Sequence, residues 1–294
     1  MILVAGGTGT LGRVVVARLT AAGREVRILT RDPRRAEALD ADVAIGDVRD
    51  TGSLAAATRG CSVVVSAVHG FLGRRGAGPE VIDHHGNAAL ISAALVSEVE
   101  HFVVLSVHDA RPDHPLALHR AKYAAELELH ASGLPWTVLR PTPYLETWIP
   151  LIAGKVPSRG PALVLGHGDN PINFVSVQDV AMLVERAITD PALRNQTIDL
   201  IGSDNLSMTQ LARQLGATRV RHVPRTGLRA ASLITAPLAP AAARAARAAV
   251  VMDTTDMAAD ATPLHAAFPE LSWHAATDVA AAWARNPQGQ RGAA

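Results

Sequence analysis

The chain has 294 residues, 48% hydrophobic and 19% charged, a composition that predicts a globular protein with a well-filled core. Lys and Arg number 28 against 27 Asp and Glu; the net charge of +1 supplies no basic field for a nucleic-acid backbone, and 3% aromatic residues leave little for base stacking. The single cysteine, Cys61, excludes an internal disulfide and a thiolate metal cluster; in the apolar run CSVVVSAV it reads as a buried, inert thiol.

From its first residues the sequence alternates β-branched runs with amphipathic stretches, the pattern of a parallel sheet covered on both faces by helices. ILVAG (2–6) predicts a buried strand, and GRVVVARLTAAG a helix ended by Gly23. EVRILT (25–30) predicts a second strand, and DPRRAEAL a helix with Asp32 as N-cap and Pro33 in its first turn. DVAIGD (42–47), TGSLAAATRG and CSVVVSAV (61–68) continue as strand, helix, strand. A long helix is expected at 80–98, a strand at HFVVLS (101–106), a helix at LALHRAKYAAELELH (116–130) and a strand at WTVLRP (136–141). The order implies a doubly wound Rossmann-type α/β fold over 1–150, with its ligand at the carboxyl ends of the strands.

Beyond residue 150 a small α/β substrate lobe interleaved with the first domain is expected, using INFVSV (172–177), the helix QDVAMLVERAITD, QTIDLIG (196–202) and SMTQLARQLG, followed by a helical Ala/Arg/Pro-rich tail to 294. AASLITAPLAPAAA (230–243) is uncharged, but it is too short to span a bilayer and carries Pro237 and Pro240. It reads as a buried or lid-forming segment, so membrane contact is disfavoured. The first strand begins at Met1, which leaves no room for a leader and gives a cytoplasmic expectation.

The candidate cofactor cradle is GGTGTLG: Gly6, Gly7, Thr8, Gly9, Thr10, Leu11 and Gly12, lying between a strand and a helix. Gly6 allows the turn, Gly9 lets backbone approach a pyrophosphate, and Gly12 lets helix and strand pack closely, while the helix N-terminus offers N–H groups to phosphate. The end of the second strand reads Thr30-Arg31-Asp32. Arg31 is placed to meet a 2′-phosphate, which favours NADP(H), with NAD(H) the alternative.

GGTGTLG at the N-terminus, GDV at 46–48, a serine closing the fifth strand and LRP at 139–141 together resemble the short-chain dehydrogenase/reductase superfamily, and within it the atypical, NmrA-like NAD(P)H-binding group. The resemblance implies that Asp47 and Val48 line the adenine, that Ala67 and Val68 pack near the ribose and nicotinamide, that Ser106 holds a substrate oxygen and that Lys122 bonds the nicotinamide ribose. It also shows a departure. Where the superfamily's YxxxK motif has its catalytic tyrosine, this chain has Leu118. Tyr123 and His119 are each turned about a hundred degrees from the required face. The expectation is therefore hydride transfer from NADPH to a small electrophile such as a quinone or conjugated carbonyl. The alternative is a non-enzymatic NADP(H) sensor or accessory subunit acting through a protein partner, and a homo-oligomer also fits.

Other polar residues have weaker readings. Tyr144 is a candidate phenol, with a lid contact as its competing role. His108, two residues after Ser106, is a spare acid/base candidate. His84 and His85, being adjacent, should diverge on a helix and hold no metal. Asp179 reads as a helix N-cap.

Overall fold

The computed structural model describes residues 1–74, 76–153 and 162–285. Its first part alternates β1 (Ile2–Ala5), α1 (Thr10–Ala21), β2 (Val26–Thr30), β3 (Asp42–Ile45), α2 (Thr51–Thr58), β4 (Val63–Ser66), α3 (Gly86–Val96), β5 (His101–Leu105), α4 (Ala117–Ala131) and β6 (Trp136–Pro141). The chain continues through α5 (Leu145–Ala153), β7 (Ala162–Leu165), β8 (Ile172–Phe174), α6 (Val177–Thr189), β9 (Gln196–Leu200) and β10 (Asp204–Leu206). Then come α7 (Met208–Gln214), β11 (Val220–Val223), α8 (Arg225–Ile234), α9 (Pro240–Met252), α10 (Thr262–Ala267) and α11 (Ala276–Arg285).

Seven strands form the main sheet in the order β3-β2-β1-β4-β5-β6-β9. β1 pairs in parallel with β2 on one side and β4 on the other, with Ala5 opposite Leu29 and Ser66, so the strand order reverses between β1 and β4. That reversal opens a crevice at the strands' carboxyl ends. Every residue of β1 and β5 is buried, as expected for strands covered on both faces. Leu3, Leu54, Leu90, Phe102 and Leu129 form the centre of one core cluster and are fully buried.

The chain divides into two compact units: Met1–Pro141 with Val180–Asp199, and Thr142–Asp179 with Leu200–Ala294. In the second, β7 pairs in parallel with β11, and β8 antiparallel with β10. Its core is built on Leu145, Ile149, Phe174 and Leu211. The stretches 154–161 and 286–294 of the expected lobe lie outside the described residues.

Four local expectations need correction. The first four residues of QTIDLIG, 196–199, and most of the preceding helix, assigned to the second lobe from sequence, belong to the first unit, and β9 is the seventh strand of the main sheet. The edge of β6 explains this: the Trp136 N–H donates to Asn195 Oδ1 at 3.2 Å and Thr137 Oγ1 to the Leu193 carbonyl at 2.7 Å, so the returning chain satisfies polar groups that an open edge would leave bare. DPRRAEAL forms only a 3₁₀ turn, Pro33–Ala36, capped by Asp32, which accepts from the Arg34 N–H. The helix expected at 80–98 opens as a π-helical turn, Glu80–His85, before α3. Finally, of the two readings of the apolar 230–243 stretch the buried one fails: only Ala243 is buried, and Leu233, Ile234 and Leu238 are 77%, 74% and 93% exposed.

Candidate active site

The loop after β1 is shaped by two glycines. Gly6 has φ +86°, and a Cβ there would stand 2.5 Å from the Ala67 carbonyl oxygen. A Cβ on Gly12 would lie 2.1 Å from the Gly6 carbonyl oxygen, so α1 approaches β1 only because that side chain is missing. Gly9 differs, since its Cβ would meet only the Gly6 carbonyl oxygen, at 3.3 Å. Apart from that one contact, the space around a Cβ at Gly9 is open. α1 begins without a side-chain cap, and the N–H groups of Leu11 and Gly12, in its first turn, have no acceptor within the helix. Gly7 and Leu11 are buried behind the loop, and Thr8 is nearly so.

At the end of β2, the Arg31 side chain is 65% exposed, and its nearest carboxylate oxygen is Asp47 Oδ2 at 3.9 Å. Asp47 is held more closely by Arg49, at 2.9 and 2.6 Å, and this hydrogen-bonded pair keeps its carboxyl below the usual range. Arg13, which no local signal singles out, reaches from α1 to the Arg35 carbonyl at 2.6 Å and so stands beside the same loop. Val48 is buried against Gly86.

The crevice at the ends of β4 and β5 holds Ser106, Lys122, Ala67 and Val68 in the first unit. Lys122 is 2% exposed and its Nζ is 3.1 Å from Asp83 Oδ1; it also donates to the Val68 carbonyl at 2.9 Å. Asp83, fully buried on the π-helical turn, accepts from the Gly70 N–H at 2.8 Å. Burial by itself would raise the Asp83 pKa, but Lys122, His69 and that N–H outweigh it and hold the carboxyl below its ordinary value. Asn87 fixes the turn, donating to the Asp83 carbonyl at 2.7 Å and accepting from Ser66 of β4.

One turn beyond Lys122 on α4, Glu126 is 1% exposed; it accepts a short hydrogen bond from the Ser106 hydroxyl and a two-pronged contact from Arg140 at 3.0 and 2.5 Å. Asp83, Glu126 and Arg140 were missed because their partners lie 14 to 39 residues away in sequence, and no local spacing signals them.

Leu118 is buried at the position where a tyrosine would stand. His119 stacks on His114, with ring centroids 3.7 Å apart, and its Nδ1 has no hydrogen-bond partner. Burial, with His114 and His108 adding to it, pushes its pKa down to about 3, so it is neutral and no ready acid. His108 faces Asp199 at 3.0 Å.

Tyr144 lies in the second unit, bridged to Val175, and burial with Glu146 nearby raises its phenol above the usual range. Asp179 is not the cap of α6: Ser176 accepts from the Gln178 N–H, while Asp179 binds the backbone and ring of His274. Nor do His84 and His85 diverge. The π turn brings both over Glu80, at 3.0 and 3.6 Å, because its i→i+5 pitch stacks residue 85 above residue 80. An open groove of about 800 Å³ beside Asn205 and His265 contains none of the candidate residues.

A model of an NAD(P)H-binding protein family matches residues 6–191. The chain belongs to this NAD(P)H-binding family. It is 31% identical over 227 residues to the NAD(P)H azoreductase of Xenophilus azovorans, covering 76% of this chain and 75% of that protein. It is 30% identical over 204 residues to the photosystem II assembly factor Ycf39 of Trieres chinensis, covering 68% of this chain and 63% of that one. In fold it resembles the Escherichia coli NADPH-dependent quinone oxidoreductase crystallised with NADPH, with a TM-score of 0.78 at 22% identity over 96% of this chain and 99% of the other. NAD(P)H is the family's cofactor, and the loop suits it: uncapped first-turn N–H groups face a Gly9 whose missing Cβ leaves room for phosphate.

Proposed function

We propose that this NAD(P)H-binding chain is an NADPH-dependent reductase whose acceptors are small electrophiles, quinones first, that take their proton from water. The observation that carries this reading is the buried Leu118 in place of a phenol, beside a His119 kept neutral by burial. A positioned general acid contributes about 10² to 10⁴ in rate, so simple ketones would be poor substrates here. A reduced quinone needs no such group.

The bound nicotinamide would supply the hydride. The protein's share is placement. Gly6 to Gly12 would hold the pyrophosphate, Arg31 the 2′-phosphate, and Asp47, Val48, Ala67 and Val68 would line the adenine and ribose. Lys122, fixed by Asp83 and the Val68 carbonyl, would turn its third N–H to the nicotinamide ribose. To hold the acceptor oxygen, the Ser106 hydroxyl would have to release Glu126, to which it donates its single hydrogen. Tyr144 keeps its proton across the physiological range and so could serve only as a hydrogen-bond donor.

Support comes from the similarity to an NAD(P)H azoreductase and the fold shared with a quinone oxidoreductase. The test is nicotinamide absorbance with NADPH and a panel of quinones, azo dyes and simple ketones. Quinone turnover at least a hundredfold above that of ketones is expected; no turnover with any acceptor despite tight NADPH binding would sink it. A second reading, an NADP(H)-responsive accessory protein, is favoured by the similarity to an assembly factor. It predicts capture of a partner protein that changes with the cofactor's redox state.

A further inference from the structure

Between Asp204 and Asp253 the chain has seven arginines and no Asp or Glu. The whole chain is +1, so this one stretch is +7 and the rest carries a net −6. The near-zero overall charge therefore hides one strongly basic stretch. The middle of the basic stretch folds into the packed pair α8 and α9. The turn between them is ordered by the Leu238 and Ala239 N–H groups, which both donate to the Thr235 carbonyl, at 3.2 and 2.7 Å.

That turn presents aliphatic side chains to the outside: Leu233 at 77%, Ile234 at 74% and Leu238 at 93% exposure. Three large aliphatics so exposed within six residues form a patch that water disfavours. The cations stand just behind it. Arg229 is one helical turn before Leu233, about 6 Å along the axis, and Arg247 is about 10 Å beyond Pro240 on the second helix. Both are exposed, as are Arg221 on β11 and Arg219 just before it, whereas Arg225 is occupied by Asp253. No acidic side chain in the stretch offsets them.

We propose that the α8–α9 turn is a docking element for an anionic lipid bilayer. Leu233, Ile234 and Leu238 enter the boundary between headgroups and acyl chains, while Arg229 and Arg247 lie at the depth of the lipid phosphates. An aliphatic tip with a cationic collar matches such a surface in both polarity and sign. Among the described residues no helix is long and apolar enough to cross a membrane, so the attachment is peripheral and reversible. Its use rests on the quinone reading, since long-chain quinones are dissolved in the bilayer; the binding itself does not.

The full chain is sedimented with vesicles of phosphatidylcholine alone and of phosphatidylcholine mixed equally with phosphatidylglycerol, without any acceptor present. Binding to the anionic vesicles only, lost as salt is raised, is expected. The Leu233→Ser/Ile234→Ser/Leu238→Ser variant should bind roughly tenfold or more weakly. Arg229→Gln and Arg247→Gln should each cost about fivefold. NADPH binding, unchanged in all variants, shows that they are folded. Absence of sedimentation, or equal binding by the aliphatic variant, overturns the inference. So does a chain that self-associates and becomes monomeric in that variant, which would make the tip an interface between copies. A protein that binds vesicles yet reduces no quinone keeps the docking element and loses the reductase reading.

Discussion

Lys122 and Asp83 form an ion pair with both side chains at most 2% exposed, Nζ to Oδ1 3.1 Å, joining α4 to the π-helical turn. Each charge is tolerated in the interior chiefly because of the other; Lys122 also donates to the Val68 carbonyl, and Asp83 accepts from the Gly70 N–H.

Removing one partner should therefore cost more than removing both. Asp83→Ala is expected to lose about 3 to 5 kcal/mol in urea unfolding, and Asp83→Ala/Lys122→Met markedly less. Because folding lowers the Asp83 pKa, its contribution is present above the ordinary carboxylate range and disappears as pH falls through the folded value. The wild-type excess of stability over Asp83→Asn should shrink below pH 4; an excess constant with pH would deny the charge a role.

Glycines 9 and 12 should separate binding from folding. Gly12→Ala forces a Cβ within 2.1 Å of backbone and is expected to cost at least about 1 to 3 kcal/mol of stability. Gly9→Ala should unfold like the parent while binding NADPH at least about tenfold more weakly, because its Cβ meets little of the protein and would occupy the phosphate's space. Calorimetry for stability and fluorescence titration for NADPH check both; unimpaired binding by Gly9→Ala would remove the loop from the cofactor site.

Arg31→Asp tests the cofactor preference. Charge-assisted bonds to a 2′-phosphate are worth about 1.5 to 3 kcal/mol, so NADPH affinity should fall roughly 10- to 150-fold with NADH affinity little changed. An unaltered ratio would shift the role to Arg34 or Arg35 of that loop or to Arg13, which reaches it from α1.

His119 makes the first unit acid-sensitive. Its folded pKa, about 3, lies below the ordinary 6.5, so the unfolded chain binds the extra proton first and stability declines as pH drops from 6.5 toward 3. The slope is at most about 1.4 kcal/mol per pH unit. Denaturant midpoints of His119→Gln and the parent should converge as pH falls through this window; parallel curves would show that the histidine does not titrate there.

Much of the dinucleotide half was legible in the sequence because its signals are local. GGTGTLG specifies a turn, a close helix–strand approach and an uncapped helix start within seven residues, and the β-branched runs specify strands buried on both faces. Lys122 could be singled out only through the resemblance to the YxxxK motif. Its partner could not, since Asp83 reaches it only through a π turn, and the same turn defeated the argument that His84 and His85 must point apart. QTIDLIG reads equally well as a strand of either unit, and only the open edge of β6 decided between them.

The sequence by itself determined the Rossmann-type order of elements and the glycine-rich turn between β1 and α1, both of them properties of consecutive residues. Tertiary structure decided which buried charges meet, where Ser106 points and which apolar residues are left in water. Those outcomes depend on segments far apart in the chain, and composition cannot report them: AASLITAPLAPAAA has the same residues whether it is packed inside or held out on a turn between two helices.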